Sequence, residues 1–159
     1  MKKNHFTLIF EDQVGAQAFP LDSWRKNIML YEYQLSTSRE DLCDITQHVR
    51  EAITNSNATS GIAVVFCLHT TAGITINENA DPDVIHDLLL GLKNAYPNQD
   101  DFIHAESNSA AHLKATAIGS SATIIIKNGK PLLGTWQGVY FCEFDAPRNR
   151  KFYVTVINS

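Results

Sequence analysis

The chain has 159 residues, 44% of them hydrophobic, enough for a core of ordinary domain size and too many for a disordered chain. Seventeen acidic against 13 basic residues leave a formal charge of -4, which argues against a nucleic-acid-binding surface. No apolar run approaches the roughly 20 residues of a membrane helix. With no signal-peptide pattern in MKKNHFTLIFEDQV, the expectation is a soluble cytoplasmic protein without membrane partners.

Residues 1–27 read as an N-terminal extension packed on or near a single domain at 28–159. Within that domain, IMLYEYQL (28–35) is rich in strand formers. Asp44 or Thr46 can cap a helix running to about Asn55, and Ile45, Val49 and Ile53 give it one apolar stripe. GIAVVFCL (61–68) reads as a buried strand, and residues 73–78 as a second strand or extended segment. Asp81-Pro82 is a helix start, with Val84, Ile85, Leu88, Leu89 and Leu92 on one face and an end before Pro97. A third helix begins at Asn108 or Ser109 and ends near Gly119, with Leu113, Ala117 and Ile118 turned inward. SATIII (121–126) is a strand, and Asn128-Gly129 suits a hairpin turn. Residues 131–135, 137–144 and 151–157 supply the last strands. In KFYVTVI, Phe152, Val154 and Val156 alternate with Tyr153, Thr155 and Ile157. About seven strands and three helices, without regular β-helix-β spacing, predict an α+β fold on an antiparallel sheet.

Polar groups gather where elements end. Four of the six histidines lie between residues 69 and 112. His69 closes the buried strand, Glu78 and Asn79 follow the next one, and Asp81 opens a helix. His104 and Glu106, two apart, share a face if that segment is extended, and His112 lies one turn beyond Asn108. Imidazole with carboxylate suits a divalent metal or proton transfer near neutral pH, and His104, Glu106 and His112 fit either. No His-Glu-x-x-His motif is present. Thr70, Thr71 and the amides near Gly73, or Gly119-Ser120-Ser121, can hold an anion, although a helix C-terminus is the unfavourable dipole end. In GTWQG, Gly134 and Gly138 bracket Thr135, Trp136 and Gln137, where the indole can line a flat ligand or enter the core. Glu143 and Asp145 project into a cavity or into solvent; Arg148 and Arg150 meet phosphate or pair with the acidic excess. Cys43, Cys67 and Cys142 read as reduced thiols.

DIT (44–46), HTTAGITINENADPDV (69–84), HAESNSAAHLKA (104–115) and GSSATIIIKNGKPLLGTWQGVYFCEFDAPR (119–148) together resemble the YjbQ-like family, often described as secondary thiamine-phosphate synthases. The likeness spans roughly residues 28–157. Two departures stand out: Ser107 follows His-Ala-Glu where the family usually has Gly, and Glu40 follows Arg39 where Gly is common. The resemblance implies an antiparallel β-sandwich-like core with flanking helices, assembled as a homotrimer. It implies a polar pocket near subunit contacts built from His69, Glu78, His104, Glu106 and His112. It further implies the joining of a hydroxymethylpyrimidine diphosphate to a thiazole phosphate with loss of pyrophosphate. For that reaction Glu78, Asp81 and Glu106 are the expected Mg²⁺ ligands, Arg148 a phosphate contact and Trp136 a stacking wall; Thr70, Thr71, Asn79, Asn108, Thr135 and Gln137 complete the expected substrate contacts. Two other readings stand beside it. One is a metal-dependent hydrolase of a small phosphorylated metabolite, with zinc or another transition metal on His69, His104 and His112. The other is a non-catalytic trimeric metabolite-binding protein.

Overall fold

The structure, a computed structural model, describes residues 27–159. The expectation for the extension therefore lies almost wholly outside the described residues. Along the chain run β1 (Ile28–Thr37), β2 (Asp41–Asp44), α1 (Thr46–Ser56), β3 (Ser60–Cys67), β4 (Ala72–Glu78), α2 (Pro82–Ala95), α3 (Ser109–Ile118), β5 (Ser121–Lys127), β6 (Lys130–Pro131), β7 (Gln137–Glu143) and β8 (Arg148–Asn158). Five strands form one sheet in the order β1-β8-β3-β5-β6, and three form a second in the order β2-β7-β4; every pairing is antiparallel. The fold is α+β, a sandwich-like antiparallel core with three helices.

The core lies where α1 and the inner faces of both sheets meet. Ile45, Val49 and Ile53 are buried there at 1%, 0% and 0% exposure, together with Phe141 and with Phe152, Val154 and Val156 of β8. Burying each of these side chains contributes about 1.5–3 kcal/mol against leaving it in water. The alternation in KFYVTVI thus sorts as expected, with Tyr153, Thr155 and Ile157 only partly covered. Residue Ile45 is the N-cap of α1, and the Asp44 carboxylate accepts from the Thr46 N–H at 2.8 Å. The Asp81 side chain caps α2 by accepting from the Asp83 N–H at 2.9 Å. Asn128 and Gly129 both have positive φ, 54° and 72°, as the β5–β6 hairpin needs.

Two expectations are corrected. The strand placed at 131–135 is only Lys130–Pro131, because residues 132–136 leave the sheet in a loop and turn. On α2 the expected face holds: Val84, Ile85, Leu88, Leu89 and Leu92 are its half-covered residues, none of them fully buried. On α3 the inward face is Ala110, Ala111, Lys114 and Ala115, not Leu113 and Ala117, which are exposed. Small side chains let that helix approach Tyr140, Cys142 and Phe144 of the second cluster closely, and periodicity read from the large residues pointed the wrong way.

Candidate functional site

The turn His69–Thr71 leaves β3 and enters β4 beside α3. Gly73 makes that approach possible: a Cβ there would lie 2.7 Å from the Gly119 carbonyl oxygen and 3.0 Å from Ile118 Cγ2. The close contact is fixed by the Ile74 N–H donating to Gly119 O at 3.0 Å. Between the turn and the helix opens a cavity of about 500 Å³ whose wall includes His69, Thr70, His112, Thr116 and Ser120. A second cavity of about 380 Å³ is lined by Phe102, His104, Ser109, His112, Leu113 and Thr116. His112 and Thr116 belong to both walls. The His104 and His112 rings meet edge-on, centroids 5.2 Å apart. Three of the six histidines thus line one composite cleft, and exposed Leu113 forms part of its apolar end.

His69 is held from β8. The Lys151 backbone N–H donates to His69 Nε2 at 2.8 Å, so the neutral ring carries its proton on Nδ1. Burial first, and the Arg150 guanidinium second, push His69 below the usual imidazole range. Next to this contact lies a buried ion pair that the alternation in CEFDAPRNR left undecided. Glu143 is fully buried and Arg150 is 6% exposed. Arg150 Nε donates to Glu143 Oε2 at 2.7 Å, and Nη2 donates to Oε1 and, at 2.9 Å, to Thr71 Oγ1. The Asp145 N–H at 2.7 Å and Thr37 Oγ1 at 2.9 Å complete the carboxylate's partners. Burial pushes the Glu143 carboxyl up, and the hydrogen bonds from Arg150, Asp145 and Thr37 outweigh it, leaving the group below the usual carboxylate range. Thr71 is therefore bound into this network, whereas neighbouring Thr70 faces the cleft.

The other expected residues fall into two further groups. Asn79 donates to Asp44 Oδ2 at 2.9 Å, and the Glu78 carbonyl accepts from Tyr140 Oη at 2.9 Å. Gln137 pairs with Glu78 in register and donor Gly134 N–H reaches its Oε1 at 2.8 Å; Thr135 is exposed and Trp136 is 62% exposed. This group sits at the far end of β4, roughly 20 Å along the strand from the histidine cleft at about 3.4 Å per residue. Asp81 follows it at the start of α2. The third group joins Asn108, Asp145 and Arg148: Asn108 Nδ2 and Arg148 Nη2 both donate to Asp145 Oδ2, at 3.0 and 2.9 Å. Glu106 is exposed beside Asn108, and residues 105–107 turn instead of extending, so His104 and Glu106 do not share a strand face. Ser107, in the position where glycine is expected, has φ 57°, the left-handed region that glycine enters without strain.

Among the described residues no group of three His, Cys, Asp or Glu side chains is arranged to hold a metal ion. The donors expected for Mg²⁺ are split between groups, and His69 has one ring nitrogen already occupied by the Lys151 amide. No helix among the described residues is long and apolar enough to cross a membrane.

A family profile described as UPF0047 protein YjbQ-like matches residues 31–159. The UPF0047 protein MJ1081 of Methanocaldococcus jannaschii is 56% identical over 130 residues, covering 81% of this chain and 94% of that protein. The UPF0047 protein YugU of Bacillus subtilis is 47% identical over 131 residues, 81% of this chain and 99% of its own. A crystal structure of an uncharacterized conserved YjbQ/UPF0047 family protein from Clostridium acetobutylicum superposes with a TM-score of 0.78 at 57% identity, covering 80% of this chain and 99% of that one. A YbjQ-like protein of unknown function from Sulfolobus solfataricus gives 0.80 at 30% identity, over 83% and 98%.

Proposed function

The chain belongs to the UPF0047 protein YjbQ-like family, and from that premise we propose that it is an enzyme joining two small molecules across His112. The observation carrying the proposal is the pair of adjoining cavities, about 500 and 380 Å³, with His112 and Thr116 as their common wall. Each is of a size to take one small partner. The reaction class is that of thiamine-phosphate synthase. The thiazole nitrogen lone pair forms a bond to the pyrimidine methylene carbon, the carbon–oxygen bond to the diphosphate breaks, and pyrophosphate leaves with that electron pair.

In this reading His112 donates a proton or hydrogen bond to the departing diphosphate, and His69 Nδ1–H supports the same charge. Thr70, Thr116 and Ser120 add hydroxyls. Holding both partners in adjoining cavities supplies proximity and orientation. No step is routed through a protein-held metal, because among the described residues no three donors are grouped to hold one. Among the described residues no arginine lines either wall. The proposal therefore includes assembly as a homotrimer, with a neighbour's half-exposed Arg148 approaching the leaving phosphates.

Among the described residues neither wall carries a lysine or arginine, which favours one competing reading, a trimeric protein that binds a phosphorylated metabolite and turns nothing over. One assay separates the two. The full chain is incubated with hydroxymethylpyrimidine diphosphate, thiazole phosphate and Mg²⁺, and thiamine phosphate is quantified by fluorescence after oxidation. Product from the native chain, reduced about 10²-fold or more in H112A at unchanged circular dichroism, supports the joining enzyme. Saturable binding of either precursor without product supports the binding protein. Neither binding nor product removes both.

A further inference from the structure

Away from the histidine cleft, a cavity of about 530 Å³ opens between the end of α2, the first turns of α3 and the bend at Glu40. Its polar wall comprises Glu40, Lys93, Asn94, Asn98 and Lys114. Lys114 is the unusual member. Its side chain is 4% exposed, and its ammonium donates to both Glu40 oxygens, at 3.0 and 2.8 Å. Beneath it lies the Phe144 ring, 5.9 Å from Nζ to centroid. An ammonium that deep requires an anion, because neither an aromatic face nor the alkyl wall replaces its lost hydration. The anion supplied is not itself built in. Glu40 lies on the bend between β1 and β2, its side chain is 44% exposed, and its described hydrogen bonds are those to Lys114. The cation is fixed and its counter-charge hangs on a surface bend at the mouth of a cavity.

We propose that this cavity binds the phosphate group of a phosphate monoester, and that Glu40 occupies the anion position until such a ligand displaces it. The charge on the ligand follows from competition. Glu40 is tethered, so it competes at an effective concentration of order millimolar, and a free carboxylate brings no charge advantage over it. A phosphate monoester carries about -1.5 to -2 near neutral pH and has three acceptor oxygens. It therefore has charge and oxygens for Lys93 as well as Lys114, and for the amides of Asn94 and Asn98. The closing turn of α2 adds partial negative charge on that side, and Lys93 on the same turn offsets it. Release of Glu40 frees the bend leading into β2, so occupancy is coupled to the start of the smaller sheet.

The test is titration of the full chain with inorganic phosphate at constant ionic strength, followed by calorimetry and by amide chemical shifts. E40A removes the resident anion and is expected to bind phosphate at least tenfold more tightly than the native chain. E40A/K114M is expected to lose that binding, and E40A/K93A to weaken it severalfold. Shifts are expected at Lys93, Asn98 and Lys114. E40A binding phosphate no better than the native chain overturns the proposal, as do shifts confined to His69 and Thr116. Lys93 is exposed, so K93A keeps the test decisive if the K114M chain does not fold: phosphate affinity indifferent to K93A overturns the two-cation site.

Discussion

Replacing Arg150 by methionine removes the cation from a carboxylate that has no water to fall back on. Glu143 is fully buried and Arg150 is 6% exposed, and the guanidinium makes two hydrogen bonds to Glu143 and one to Thr71. Breaking a buried pair by removing one partner costs about 3–5 kcal/mol, since the other charge is left uncompensated. A chain of this size loses roughly 2–4 °C of melting temperature per kcal/mol. R150M should therefore melt about 6–20 °C lower, with a matching drop in urea midpoint. The double variant R150M/E143L removes both charges and should lose less than R150M alone, because an apolar replacement leaves no orphaned ion. The singles and the double, measured by urea unfolding at pH 7, form one cycle. An R150M loss below about 1 kcal/mol, or a double variant as unstable as the summed singles, would refute the argument that the pair is desolvated. The same substitution releases Thr71 and disturbs the strand start that presents the Lys151 N–H to His69.

Four further outcomes follow from the same geometry. The folded-state pKa of Glu143 is depressed, so its stabilisation is fully present above the unfolded carboxylate value of about 4.3 and is lost as pH falls through the folded value; acid unfolding should lose part of its steepness below pH 4 in E143Q. His69 is depressed too, so its contribution is present above the unfolded imidazole value of about 6.5 and is lost as pH falls through the folded value; ¹⁵N spectra should show a neutral Nδ1–H tautomer at pH 7, and a protonated ring there would contradict the Lys151 contact. G73A forces β4 off the Gly119 carbonyl and should cost about 1–3 kcal/mol, with shifts at His69 and His112 resonances; unchanged stability and spectra would show that β4 does not need that approach. S107G relieves a left-handed residue and should raise stability by up to about 1 kcal/mol in thermal melts, a fall in melting temperature counting against strain at that turn.

Local chemistry made much of this protein legible in its residues. The stripe of Ile45, Val49 and Ile53 marked α1, Asp81-Pro82 marked the start of α2, Asn128-Gly129 marked the hairpin, and the period of two in β8 sorted its faces. Such signals act over a turn or a few residues, so no knowledge of the rest of the chain is needed to read them. The histidines were likewise visible as a set, because four of the six lie between residues 69 and 112.

What the residues could not decide was which ends meet. His69 and Glu78 are nine positions apart, yet β4 carries them to opposite ends of a strand, while His69 and His112, 43 positions apart, line one cavity. Lys114 had no place on the face read from Leu113, Ala117 and Ile118, and only the packing of α3 through its alanines turned it inward. Arg150 and Glu143 carried opposite charges on consecutive strands of different sheets, but burial, a property of the whole sandwich, made that pair the anchor of the His69 turn. Strand and helix identity is set by neighbours in the chain; the partner of each polar group is set by layers that close only when the fold is complete.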